Sequence, residues 1–337
     1  MRLNREILLK LTEETVLDRT RTDRSLVSVY LCGSLLEDDF LLGGTTDIDL
    51  VFLHFENVAA EREIVPLTDE VHFDIAHHRQ DEYRQPRYLR VHPWLGPTIK
   101  EAKILYDPQH FMDFTQAGVR GQFYEPEYVF QRACNQAEHA RQIWFKLQTE
   151  REIEPSPATV LNYLRAVSHV ANAIAGFNGL PLTERRFLLN FSQRAEEFGR
   201  PGMHAGLLGL LGAPNIDTEN LLEWLPMWQA AFESLPAGDT PPRLHPERFN
   251  YYMSAFRSIL NSMDPKAVLW PILRTWTLAV SILPQRSAEN KAWSQAINQL
   301  GLGSEGFEER VSALDAFLDL VDETLENWAR KNGAWVD

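Results

Sequence analysis

Two aspartates one residue apart, Asp47 and Asp49, open an apolar run, Asp-Ile-Asp-Leu-Val-Phe-Leu at 47–53. Side chains alternate along a strand, so both carboxylates share one face with Val51 and Leu53, while Ile48, Leu50 and Phe52 take the other. Two anions about 6.5–7 Å apart along a strand repel unless a cation lies between them, and a hard divalent ion is the usual partner of carboxylate oxygens. A third carboxylate, Asp74, stands in Val-His-Phe-Asp-Ile at 71–75, on the face opposite Val71, Phe73 and Ile75. There it can complete a metal site or act as a general base. Upstream, the apolar run 29–32 breaks at Gly33-Ser34, and glycines return at Gly43-Gly44. The pattern reads as strand, phosphate-sized turn, strand.

Gly33-Ser34, a gap of twelve residues, Asp47-Ile48-Asp49 between apolar neighbours and then Phe73-Asp74-Ile75 together resemble the active-site signature of the DNA polymerase β-type nucleotidyltransferase superfamily. The aminoglycoside and other antibiotic-modifying members are the most similar. The resemblance covers roughly the first third of the chain. It implies that Gly33 and Ser34 hold a triphosphate; Thr46, at the glycine-rich approach to the second strand, reads either as a turn residue or as a nucleotide contact. It also implies that Asp47 and Asp49 bind Mg²⁺, and that Asp74 completes the metal site or activates the acceptor hydroxyl. The expected co-substrate is a nucleoside triphosphate, ATP foremost, and the expected acceptor is a hydroxyl of a small, aminoglycoside-like molecule. One departure stands out: many members place an Arg or Lys between the Gly-Ser turn and the first aspartate, where this chain has Glu37, Asp38 and Asp39. The basic stretch carrying Arg79, Arg84, Arg87, Arg90, Lys100 and Lys103 is a candidate to replace that cation from another side. Two alternatives stay open: a catalytically inactive nucleotide-binding or regulatory module, and an enzyme that transfers AMP to a protein.

These residues need a small sheet to hold them. A helix is expected over 4–20, where Ile7, Leu8, Leu11, Val16 and Leu17 recur at helical spacing, followed by a first strand over 26–32. A helix is expected to start near Ser34, with its free N–H groups turned towards phosphate. The 57–67 connection is too short for a crossover helix, which predicts that the strands bearing Asp49 and Asp74 are antiparallel neighbours. Lys103–Tyr106 reads as one more short strand. His72, His77 and His78 invite a zinc reading, but alternation points His77 away from the other two and no cysteine joins them.

Beyond about residue 123 the periodicity turns helical: Val129, Ala133, Ala137, Ala140, Trp144 and Leu147 share one face, and stripes follow to the C-terminus. The expected fold is therefore α+β, a small mixed sheet with helices (the nucleotidyltransferase fold) over 1–122, then an all-α helical-bundle domain over 123–337. The Pro-rich stretch 235–246 is a candidate subdivision. In the second helix of that half, Asn162, Arg165 and His169, with Asn172, recur in register and are candidate acceptor-binding residues, facing the aspartates across the two halves.

The chain has 337 residues, a formal charge of −14 and 44% hydrophobic residues, which suits a folded two-domain protein. The acidic balance argues against nucleic acid as a partner, because such binding draws on Lys and Arg. Cys32 and Cys134 are the only cysteines, so no disulfide framework is expected. No apolar leader opens the sequence, and 267–283 is broken by Pro271 and Arg274, too short for the roughly 20 residues of a membrane span. Cytoplasmic location and no membrane partner are the resulting expectations.

Overall fold

A computed structural model describes residues 4–56, 60–150, 154–236, 238, 240–304 and 306–334. In chain order the elements are α1 (Arg5–Thr22), β1 (Leu26–Cys32), β2 (Thr46–His54), β3 (Arg62–Pro66), β4 (Val71–Arg79), α2 (Pro86–Val91), α3 (Leu95–Glu101), β5 (Lys103–Tyr106) and α4 (Phe111–Arg120). There follow α5 (Pro126–Thr149), α6 (Pro157–Ala175), α7 (Phe187–Glu197), α8 (Gly202–Leu210), α9 (Thr218–Glu233), α10 (Phe249–Leu260), α11 (Leu269–Ile282), α12 (Ala288–Gln299) and α13 (Phe307–Asn332). Together they make an α+β protein with one small mixed sheet and many helices. No helix among the described residues is long and apolar enough to cross a membrane.

The chain divides into two units. The first joins Met1–Phe123 to His245–Ser258, and the second joins Tyr124–Leu244 to Ile259–Asp337. The segment 245–258, expected to belong with the helical half, is thus part of the unit that carries the sheet. Helical periodicity shows that a helix has an apolar face but not which partner covers it.

The sheet order is β3-β4-β2-β1-β5. β2 runs antiparallel to β1 and parallel to β4, with Asp49 opposite Asp74 and Ile48 opposite Phe73. The expected antiparallel pairing of the two aspartate strands is corrected. The connection contains β3, which crosses to the sheet edge and returns antiparallel to β4. A returning strand replaces the crossover helix that parallel neighbours otherwise need.

Alternation sorts the two faces. On one, Ile48, Leu50, Phe52, Val71, Phe73 and Ile75 pack with Leu8 and Val16 of α1, each buried apolar side chain worth about 1.5–3 kcal/mol. On the other, Val51, Leu53 and Tyr30 pack with Tyr83, Leu89, Ile99 and Met112. The aspartates share this second face.

The segment 245–258 is fastened to the loop before β2 and to the turn between β3 and β4. Thr45 Oγ1 lies 3.4 Å from the Tyr251 carbonyl, and Asn250 Nδ2 donates to the Asp69 carbonyl at 2.8 Å. Gly43, at φ +63°, has a practical reason to be glycine: a Cβ there would strike the Ser254 carbonyl.

The second unit is helical in all its elements, with α5, α6 and α13 in mutual contact. α7 begins at Phe187, and α8 begins at Gly202 directly after the turn at Pro201.

Candidate functional site

One oxygen from each of Asp47, Asp49 and Asp74 lies within 4.8 Å of the other two. Among the described residues this is the one group of three or more His, Cys, Asp or Glu side chains able to share a metal ion. The strands explain the convergence: Asp47 and Asp49 are two residues apart on β2, and Asp74 stands opposite Asp49 on parallel β4. Like charges at that separation repel by about 3.5 kcal/mol at an effective dielectric near 20, so a cation among them is favourable. Hard carboxylate oxygens in this number suit Mg²⁺ or Mn²⁺. Gly33, at φ +78°, lies against the cluster, and a Cβ there would collide with Asp49 Oδ2. The absent side chain is what lets that carboxylate point inward.

The protein brings two cations of its own. Arg62 of β3 grips Asp74 with both ends of its fork, Nε donating to Oδ1 and Nη2 to Oδ2, the latter at 2.8 Å. Arg248, in the single 3₁₀ turn Pro246–Arg248, places Nη2 on Asp74 Oδ2 and 3.7 Å from Asp47 Oδ2. Tyr251 donates its hydroxyl to Asp47 Oδ2 at 2.7 Å. Burial works against the charge on Arg248, yet its surroundings, Tyr252 and Asp47 foremost, leave its pKa raised. Arg248 is a permanent cation. The Asp74 side chain is 1% exposed, that of Arg248 7% and that of Arg62 46%.

Sequence reasoning missed Arg62, Arg248 and Tyr251. It looked for cations in the basic stretch instead, whose ion pairs run elsewhere: Arg79 and Arg84 to Asp81, Lys100 to Glu101 and Lys103 to Glu13. The signal for Arg62 was the alternation of 62–66, in which Arg62 and Ile64 share a face; Arg248 and Tyr251 carried no local signal.

The Gly-Ser turn differs from expectation. Ser34 opens one 3₁₀ turn, Ser34–Leu36, and not a helix. Arg5 of α1 takes up the carbonyls of Leu35 and Leu36 at 2.8 and 2.6 Å and lies 3.4 Å from Asp38, so a basic residue does serve the acidic loop. The turn is bounded by Gly33, at φ +78°, and by Glu37 in extended geometry, so no helix continues from it. Thr46, expected to touch nucleotide, is fully buried, and its hydroxyl lies 3.3 Å from Ser34 Oγ. Its observed place is behind Ser34, holding it.

No protein-family model matches this chain, and no curated protein matches it.

Cys32 also lies beside the site, its Sγ 3.7 Å from the Asp49 carbonyl. Burial, and then the charge of Asp49, push the thiol well above its ordinary pKa, so it is no thiolate nucleophile at neutral pH. The three histidines of β4 disperse. His72 packs edge-on against Tyr251, His78 bonds the Tyr83 hydroxyl at 2.6 Å, and His77, on the opposite face, bridges His54 and Glu63 at 2.9 Å each.

The residues marked for the acceptor, Asn162, Arg165 and His169, lie on α6 in the second unit, whereas Gly33, Ser34, Thr46 and the aspartates lie in the first. Asn162 and Arg165 are exposed. Asn172 is buried and accepts from the Leu182 backbone at 2.8 Å, holding the loop after α6. A separate cavity of about 670 Å³ in the same unit, lined by Phe130, Cys134, Glu138, Asp322 and Leu325 among others, includes none of the marked residues.

His169 Nδ1 pairs with Gln136 Oε1 at 2.6 Å. Burial, helped by the charges of His139, Arg165 and Arg274, lowers its pKa from 6.5 to about 4. Between pH 6.5 and 4 the unfolded chain accepts a proton that the folded chain refuses. Stability therefore falls as pH drops through that window, by up to about 3 kcal/mol at its lower end. Denaturant unfolding at pH 7 and 4.5 should show a smaller acid loss for His169→Asn than for the wild type.

Proposed function

We propose that this protein is a divalent-metal-dependent nucleotidyltransferase, with Asp47, Asp49 and Asp74 as its metal-binding carboxylates. The observation that carries this reading is their convergence beside Gly33 and Ser34. A DNA polymerase β-type nucleotidyltransferase fold in the first unit, followed by a helical-bundle domain, is consistent with a mixed sheet whose aspartate strands run parallel. Mg²⁺ held there supplies charge for in-line displacement at the α-phosphorus and departure of pyrophosphate. The protein's share is positioning: Gly33 keeps the Asp49 carboxylate aimed inward, Tyr251 fixes Asp47, and Ser34, backed by Thr46, presents a hydroxyl to the triphosphate. An Asp74 oxygen within reach of the acceptor hydroxyl takes or orients its proton. The acceptor is proposed as a small hydroxylated molecule, cationic and aminoglycoside-like to suit the acidic chain.

A specific observation favours a second reading, an inactive nucleotide-binding or regulatory module: two guanidiniums already occupy Asp74. One experiment separates the proposals at the binding stage. Melting is followed with ATP, GTP, CTP or UTP, each with and without Mg²⁺. The metal-dependent reading expects at least one nucleotide to raise the melting temperature only with metal, since a ligand at 100 times its Kd stabilises by about 2.7 kcal/mol. Four unchanged curves would remove nucleotide binding from both readings, and a metal-independent rise favours the module.

A further inference from the structure

We infer that Arg62 is an exchangeable counter-ion, which neutralises Asp74 in the metal-free protein and, once a divalent cation takes that place, turns outward to bind an anionic phosphate of the substrate. The inference rests on the metal-binding reading of the aspartate cluster and goes further by giving Arg62 two positions.

A carboxylate offers about four lone-pair sites. On Asp74, Oδ1 receives Arg62 Nε and Oδ2 receives Arg62 Nη2, while Arg248 Nη2 is ion-paired to Oδ2. Both oxygens thus face the Arg62 fork, and Oδ2 faces a second guanidinium besides. A metal ion shared with Asp47 and Asp49 needs an Asp74 oxygen facing them, and a guanidinium adjacent to a divalent ion is strongly repelled. One arginine must yield.

Exposure decides which. The Arg248 side chain is 7% exposed and its buried Nε has no hydrogen-bond partner, so leaving Asp74 would strand a buried charge. Arg62 is 46% exposed and stands on β3, the edge strand, so its guanidinium can reach water by rotating its own side chain. In its outward position it still lies beside the carboxylate cluster. A planar five-donor fork there suits a phosphate oxygen pair, and Arg248, which stays, offsets one of the carboxylate charges that would repel the same anion.

The test measures two affinities that this exchange moves in opposite directions. Mn²⁺ alone is titrated calorimetrically into wild type, Arg62→Ala and Arg62→Lys. Inorganic pyrophosphate is then titrated into each at fixed, saturating free Mn²⁺. Arg62→Ala is expected to bind Mn²⁺ about tenfold more tightly, because a charge-assisted competitor is gone, and pyrophosphate about tenfold more weakly. Arg62→Lys, which keeps the charge and loses the fork, should lie between. Mn²⁺ binding by Arg62→Ala where the wild type shows none also supports the exchange. If the wild type binds Mn²⁺ and Arg62→Ala binds it equally or more weakly, Arg62 is a fixed structural partner and this inference alone fails. If neither binds Mn²⁺, the metal reading fails and takes the exchange with it.

Discussion

Asp49→Asn should lower nucleotidyl transfer by about a thousandfold or more, the scale of removing a preorganised charge from a reacting site, and should leave the metal-free protein as stable as the wild type or more so. The two halves of this expectation have one cause. Asp49 is one of three carboxylates whose oxygens lie within 4.8 Å, and its amide isostere keeps the shape that Gly33 accommodates while discarding a charge. In the empty site that charge is a liability, so its loss relieves repulsion. In a site loaded as proposed it would be a ligand. Melting in EDTA and a labelled-nucleotide transfer assay against pooled hydroxylated acceptors supply the two measurements. An unfolded Asp49→Asn would mark Asp49 as structural, and full transfer would remove it from the site.

Arg248→Met should destabilise the folded protein by about 3 kcal/mol, because removing one partner of a buried ion pair leaves the other without compensation. Asp74 is buried and has Arg62 as its second guanidinium, so the cost falls short of stranding a wholly unpaired charge. Tyr251 also loses a cation 5.5 Å from its ring. Urea unfolding at pH 7 reads the difference. Adding Asp74→Asn to Arg248→Met should recover much of the loss, since the uncompensated charge is then gone. An unfolding midpoint for Arg248→Met equal to that of the wild type would mean that Arg248 contributes nothing to holding the cluster.

The contrast between these two residues marks what a sequence can reveal. Asp47 and Asp49 were legible because period-two alternation is local: two residues on one strand must share a face, and Asp74 alternated onto a face of the same kind. β1 and the helical character of the second half were legible for similar reasons. β3 was not, because five residues with charged Arg62 and Glu63 at their start resemble a connection as much as an edge strand. Missing it reversed the expected direction of β4 relative to β2. Arg248 and Tyr251 were hidden for a different reason. The apolar stripe that announces α10 says nothing about which unit it packs against, and no spacing relates residue 248 to residue 74. The 3₁₀ turn at Ser34 replaced the expected helix because the chain after Leu36 runs extended, with Arg5 taking the carbonyls that a continuing helix would have used.

The return of 245–258 to the first unit also sets an order in time. All three aspartates and Arg62 leave the ribosome early, whereas Arg248 follows Asp74 by about 170 residues, which at 5–20 residues per second is roughly ten to thirty-five seconds of translation. Through that interval the nascent sheet carries its carboxylates with one of their two arginine counter-ions and without the Tyr251 hydroxyl. The cluster reaches its full complement of protein partners only when a distant, late-made piece of chain docks on the loop at Gly43. Completion of the site is thereby tied to synthesis of the intervening helices 126–233.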